Sequence, residues 1–170
     1  MGRTRIYLAS PLGFAESTRG FMEDLVTMLS VYADVINPWD DQGFAAEFLQ
    51  LTQENDWNKR VRRLHEINVE IGRANCASID AADGVFGVLD GVDVDSGTAA
   101  EMGYAFARGK FVAGLRTDFR LAGDNDGSIV NLQVQYFIEA SGGQLVRTAE
   151  ELVELASDFS ADRATEEVDD

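Results

Sequence analysis

The chain has 170 residues, 45% of them hydrophobic, with 30 acidic against 14 basic side chains and a net charge of −16. That length supports one domain with a sizeable core, and the charge would repel nucleic acid and anionic membranes. No stretch approaches the roughly 20 apolar residues of a membrane span, a lone Cys76 excludes an internal disulfide, and one His beside one Cys argues against a zinc site.

The elements alternate along the chain. Arg5–Ala9 reads as a first strand, too short for a signal h-region, so a cytoplasmic protein is the expectation. Ser10-Pro-Leu-Gly13 is the loop after it. Phe14, Phe21, Leu25, Met28 and Leu29 recur at helical spacing over 14–32. Residues 33–38 read as a second strand ended by Pro38. A polar excursion follows, with a short helix over 44–51. Val61, Leu64, Ile67, Ile71 and Ala74 share one face of a helix over 60–78. Residues 85–89 form a buried third strand, 98–108 a helix with Gly109 as its C′ residue, and Phe111–Leu115 a fourth strand. Residues 116–128 read as a flexible loop, 129–140 as a helix, 144–147 as a short fifth strand and 149–159 as a last helix. Thr148 and Glu151 fit a capping box for that helix. Residues 160–170 form an acidic tail expected to fray.

Strands alternating with helices imply an α/β fold, a single-domain, doubly wound, five-stranded parallel sheet over 1–159. Neither G-x-G-x-x-G nor G-x-x-x-x-G-K-[ST] occurs, so both nucleotide fingerprints are missing. The acidic excess, with Lys59 and Lys110 the only lysines, fits either an ordinary acidic protein or, the preferred reading, a halophilic one. In strong salt repulsion is screened over roughly 3 Å at 1 M.

The third strand runs into Asp90, Asp93, Asp95 and Glu101. Ligands of open α/β sheets bind at such strand ends. Thr98-Ala-Ala-Glu101 is a capping box by spacing, so Glu101 is either a cap or a carboxylate nucleophile facing a pocket. Asp93 and Asp95 are either turn formers or, for Asp95, the partner of Glu101 across Gly97. Two carboxylates in one cleft would push each other's pKa values apart. Tyr7 reads as core, or as a phenol orienting a carboxylate. Asn75 reads as surface, Asn131 as a cap, Asp40, Asp41 and Gln42 as turn residues, and His65 as solvated. Trp39 and Trp57 could wall a pocket or an interface.

Together these residues resemble the nucleoside 2-deoxyribosyltransferase family. Tyr7-Leu-Ala-Ser-Pro-Leu12 is close to its Y-L-A-G-P-[LF] opening, and Asp95-Ser-Gly-Thr-Ala-Ala-Glu-Met-Gly-Tyr-Ala105 matches D-x-G-T-x-x-E-x-G-x-A. Pro38-Trp-Asp-Asp-Gln42 is similar to the base-recognition segment and Asn131-Leu132 to the late asparagine, so the likeness spans about 5–141. It departs at Ser10, where the family usually has Gly, at Gly13, which separates Leu12 from Phe14, and at Asn75, where many relatives carry Asp.

The resemblance implies a flavodoxin-like sheet and a double displacement. Glu101 would attack the anomeric carbon of a 2′-deoxynucleoside, and a second base would take the sugar. Tyr7 would position Glu101, and Asp95 would contact the sugar or take part in proton transfer. Gln42 and Asp40 would read the base, while Asn75 and Gly97 would line the substrate site. Asn131 of a neighbouring copy would hold the 5′-hydroxyl in a homo-oligomer with shared sites. No metal or organic cofactor is called for, and the partners are deoxynucleosides and nucleobases. The alternatives are a 2′-deoxynucleoside 5′-monophosphate N-glycosidase and a non-catalytic nucleoside sensor.

Overall fold

The structure, a computed structural model, describes residues 2–40 and 43–169. Five strands alternate with six helices among the described residues: β1 (Arg5–Ala9), α1 (Glu16–Leu29), β2 (Asp34–Ile36), α2 (Ala45–Leu51), α3 (Trp57–Ala81), β3 (Gly84–Val88), α4 (Ser96–Ala107), β4 (Phe111–Leu115), α5 (Leu132–Ala140), β5 (Leu145–Val146) and α6 (Ala149–Asp169). All pairs are parallel, in the order β2-β1-β3-β4-β5. This is the flavodoxin-like order, and its direction reverses between β1 and β3.

Alternation along each strand builds two cores. Ile6, Leu8, Phe86 and Val88 face α1 and α6, where they meet Leu25, Leu29, Leu152 and Ala156. Tyr7, Ala9, Val85 and Leu89 face the other way, against Ile79, Met102, Val134 and Ile138 of α3, α4 and α5. Tyr7 is fully buried on that second face. A Cβ on Gly87 would lie 2.6 Å from the Met102 sulfur, so the glycine lets α4 sit close against the sheet.

Helix starts follow side-chain caps. Asp95 caps α4 by accepting from the Thr98 amide at 3.0 Å, so the helix begins at Ser96, ahead of its predicted start. Asp56 caps α3 through the Lys59 amide, and that helix is longer than predicted at both ends. The Thr148–Glu151 box forms as read, with bonds of 3.1 and 3.2 Å. The last helix runs past Phe159, through the segment expected to fray, as far as Asp169. Phe159 stacks on Phe111 at 4.5 Å and Arg163 pairs with Asp83 at 2.8 Å, which ties this stretch to the amino ends of β3 and β4.

The 116–128 segment is tied down rather than loose. Arg116 is fully buried and donates to the carbonyls of Leu89, Gly91 and Arg120. Asp90 accepts from the Thr117 hydroxyl and the Asp118 amide, and Asp124 accepts from the Leu132 amide. No helix among the described residues is long and apolar enough to cross a membrane.

Candidate active site

At the β1/β3 reversal the chain opens a cavity of about 560 Å³, within the usual range for small-molecule sites. Its walls come from the loops after β1 and β2, from α2, from the middle of α3 and from the head of α4. Glu101, in the second turn of α4, lines it. The Tyr7 hydroxyl donates to Glu101 Oε1 at 2.7 Å, and Asn75 Nδ2 donates to the same oxygen at 3.1 Å. Among the described residues, Glu101 Oε2 takes no hydrogen bond from a side chain or backbone.

The capping box read at Thr98–Glu101 does not form. Asp95 occupies the N-cap, and its Oδ2 takes both the amide and the hydroxyl of Thr98. That frees Glu101 for the cavity and places it beyond the first turn, where the helix dipole acts most strongly. Burial therefore decides its proton affinity. Desolvation raises the Glu101 carboxyl above the usual carboxylate range, the negative charge of Asp95 adds to this, and the bonds from Tyr7 and Asn75 oppose it. Burial, then the charge of Glu101, raises the Tyr7 phenol far above its ordinary value, so it stays protonated and keeps donating.

The loop after β1 explains two features of the sequence. Ser10 Oγ accepts from the Leu12 amide at 3.1 Å, closing a tight turn. The Ser10 carbonyl takes the Trp39 indole N–H at 2.7 Å, and Trp39 meets Phe14 edge to face at 4.5 Å. A Cβ on Gly13 would lie 2.0 Å from the indole ring, so the lack of a side chain at Gly13 is what admits Trp39 as a cavity wall. Gly13→Ala is expected to expel the indole at a cost of about 1–3 kcal/mol. In a Trp57→Phe background this reads out as red-shifted emission and a lower melting temperature. Unchanged emission would show that Gly13 does not set this wall.

Opposite stands α2, which contributes Ala45 and Phe48 beside the preceding Phe44. It buries no side chain, and Arg63 of α3 holds it through both oxygens of Glu47 at 2.5 and 2.9 Å. Among the described lining residues there is no Lys, Arg or His, whereas Asp40, Asp95 and Glu101 are carboxylates. Nor do the described residues hold three His, Cys, Asp or Glu side chains arranged for a metal ion.

The sequence profile of the nucleoside 2-deoxyribosyltransferase family matches residues 6–133, the span that supplies every wall of this cavity. The chain belongs to that family. No curated protein matches it in sequence. Among solved structures it is similar to a conserved protein from Enterococcus faecalis V583, with a TM-score of 0.66 and 23% identity, covering 93% of this chain and 99% of that one. It is also similar to a 2-deoxyribosyltransferase from Bacillus psychrosaccharolyticus, at TM-score 0.60 and 23% identity over 88% and 90% of the two chains. A 2-deoxyribosyltransferase from Leishmania mexicana shares 26% identity at TM-score 0.54, over 77% of this chain and 85% of that one.

Of the residues singled out from the family pattern, Tyr7, Asn75 and Glu101 meet directly, and Asp40, Asp95 and Gly97 line the same cavity. Gln42 lies outside the described residues. Asn131 does not line this cavity. Its Oδ1 caps α5 by accepting from the Gln133 and Val134 amides at 3.0 and 3.4 Å. Trp39 is a wall, but Trp57 is 65% exposed under the Arg60 guanidinium, and His65 is exposed. The sequence reading placed a short helix over 44–51 but did not single out Phe44 and Phe48 as an aromatic wall. It also missed Arg116, whose burial no local pattern announces.

Proposed function

We propose that this chain cleaves the N-glycosidic bond of 2′-deoxynucleosides and transfers the deoxyribosyl group to a second base through a covalent intermediate on Glu101. One observation carries the reading: Glu101 stands in a cavity of small-molecule size with two donors on one oxygen and the other oxygen uncommitted among the described residues. Family membership supports the substrate class.

In this reading an ionised Glu101 attacks C1′ while the base leaves with the C1′–N electron pair. The missing 2′-hydroxyl eases formation of the oxocarbenium-like transition state. Protonation of the departing base is worth about 10²–10⁴-fold in reactions of this kind. Asp95 has its Oδ2 engaged as a cap and offers Oδ1 to the sugar or to proton transfer. Gln42 and Asp40 read the base edge. Asn131 of a neighbouring copy in a homo-oligomer holds the 5′-hydroxyl through its amide NH₂, since its Oδ1 is committed to the cap. The displacement itself calls for no metal or organic cofactor.

The carboxylates, and the absence of Lys, Arg and His among the described lining residues, favour a neutral nucleoside over a 5′-monophosphate, because a phosphate would meet like charge without a compensating base. The test is incubation with thymidine or deoxyinosine, with and without adenine, at low and high salt, beside a sample given a deoxynucleoside 5′-monophosphate. Deoxyadenosine formed only when adenine is present is the expected result. Base released from the monophosphate alone would make the chain a glycosidase. Binding without turnover would make it a sensor.

A further inference from the structure

We propose that Asn75 is a positioning residue for Glu101: with Tyr7 it commits Oε1, which leaves Oε2 as the atom that bonds C1′. This rests on Glu101 being the nucleophile. In the step so defined, the Oε2–C1′ bond forms and the C1′–N bond breaks. The electron pair passes to the base nitrogen, which takes a proton from solvent.

The geometry separates the two oxygens. Two donors from different elements, Tyr7 on β1 and Asn75 on α3, converge on Oε1 at 2.7 and 3.1 Å. Charge-assisted bonds of this kind lower the nucleophilicity of the oxygen that accepts them and fix the carboxylate plane. Both donors are permanent. An amide N–H does not ionise in the working range, and burial beside Glu101 keeps the phenol protonated.

The groups facing Glu101 make such donors necessary. Asp95 stands at the head of α4, Asp40 lines the cavity from the loop after β2, Tyr7 rises from β1, and Cys76 follows Asn75 on α3. None of these is a cation, so the hydrogen bonds from Tyr7 and Asn75 are what favours an ionised Glu101 against its burial and against Asp95. Asn75 lines the cavity in mid-helix and is half-buried. Alanine there preserves α3, being the best helix former.

The test measures the Glu101 titration by carbon NMR of glutamate-labelled protein, assigned with Glu101→Gln, alongside the pH profile of kcat. In Asn75→Ala the Glu101 midpoint is expected to move up, and the acid limb of kcat to move with it. At neutral pH kcat should fall about 10-fold with KM little changed, the loss of one hydrogen bond to a charged group. Asn75→Asp sets a second carboxylate against Oε1, so its kcat should fall further at pH 8 and recover as the pH is lowered. An unmoved Glu101 midpoint in Asn75→Ala overturns the assignment. So does a raised KM at unchanged kcat, which would make Asn75 a substrate contact. The titration reads the Asn75 contact without turnover. A wild-type chain that releases no base from any deoxynucleoside therefore overturns the nucleophile reading, and the role of Oε2 with it, by a separate result.

Discussion

Glu101→Gln is expected to lower kcat for base release by about 10⁴-fold or more, the scale on which enzymes lose rate when a nucleophile is removed. The amide keeps the shape of the side chain and can still accept from Tyr7 and Asn75 through Oε1. It cannot form the glycosyl ester. A trapped covalent adduct, sought by mass spectrometry of the intact protein with a slow deoxynucleoside analogue, should appear in the wild type and be missing from the variant. If Glu101→Gln turns over at the wild-type rate, the nucleophile is elsewhere.

The same substitution should stabilise the fold at neutral pH. The folded state holds the Glu101 proton more tightly than the unfolded chain does, because burial disfavours the carboxylate. Protons bound in excess by the folded state make stability fall as pH rises. The penalty sets in above the ordinary glutamate value of about 4.3 and is complete above the raised folded value. Glutamine carries no such penalty. Its melting temperature should exceed that of the wild type at pH 7, and the gap should close below about pH 4. The wild-type acid limb of kcat should also lie above the usual carboxylate range, since activity is lost as pH falls through the raised value. A lower melting temperature for the variant at pH 7 would show that Glu101 is not a buried charge held at a cost.

Arg116→Ala is expected to destabilise the fold by about 3 kcal/mol, a fall of roughly 6–12 °C in Tm for a chain of this size. The guanidinium is fully buried and donates to Leu89, Gly91 and Arg120 carbonyls, the last two at 3.0 and 2.7 Å. Each hydrogen bond from a charged group is worth about 1.5–3 kcal/mol, and part of that sum is offset by burying a cation that makes no direct ion pair among the described residues. Nε is buried without a partner among the described residues, which adds to the offset. Arg116→Lys should not rescue, because one ammonium cannot span the donors of a planar fork. Arg120→Ala is the control. That exposed side chain pairs with the half-buried Asp118, which also accepts from the Arg120 amide, and the substitution should cost less than Arg116→Ala. Because two of the clamped carbonyls, those of Leu89 and Gly91, lie in the segment between β3 and Asp95, Arg116→Ala should also lower kcat. Equal losses in the two arginine variants would show that Arg116 does not act as a clamp.

The sequence carried much of this in local form. Short apolar runs place the strands and period-3.6 patterns the helices, and turn chemistry marks their ends. The run from Asp95 to Ala105 and the Tyr7 loop carry the family pattern that the profile match confirms. Caps were harder. Thr98–Glu101 and Thr148–Glu151 share one spacing, yet only the second closes, because Asp95 already occupies the first N-cap. Asn131 reads from its position as a cap and only from the family resemblance as a ligand contact, and within one copy of the chain it is the cap.

What the sequence determined by itself was the α/β order of elements, the two-faced strands and the acidic site motif, since each depends on neighbours a few residues away. What only the tertiary structure decided was which atoms meet. Tyr7, Asn75 and Glu101 lie on three separate elements and share one oxygen because a close-packed α4 and a parallel β1/β3 pair bring them together. Gly13 makes room for an indole from the loop after β2, and Arg116 ties carbonyls of two loops. Contacts between distant segments are fixed by strand order and burial, and neither leaves a periodic trace along the chain.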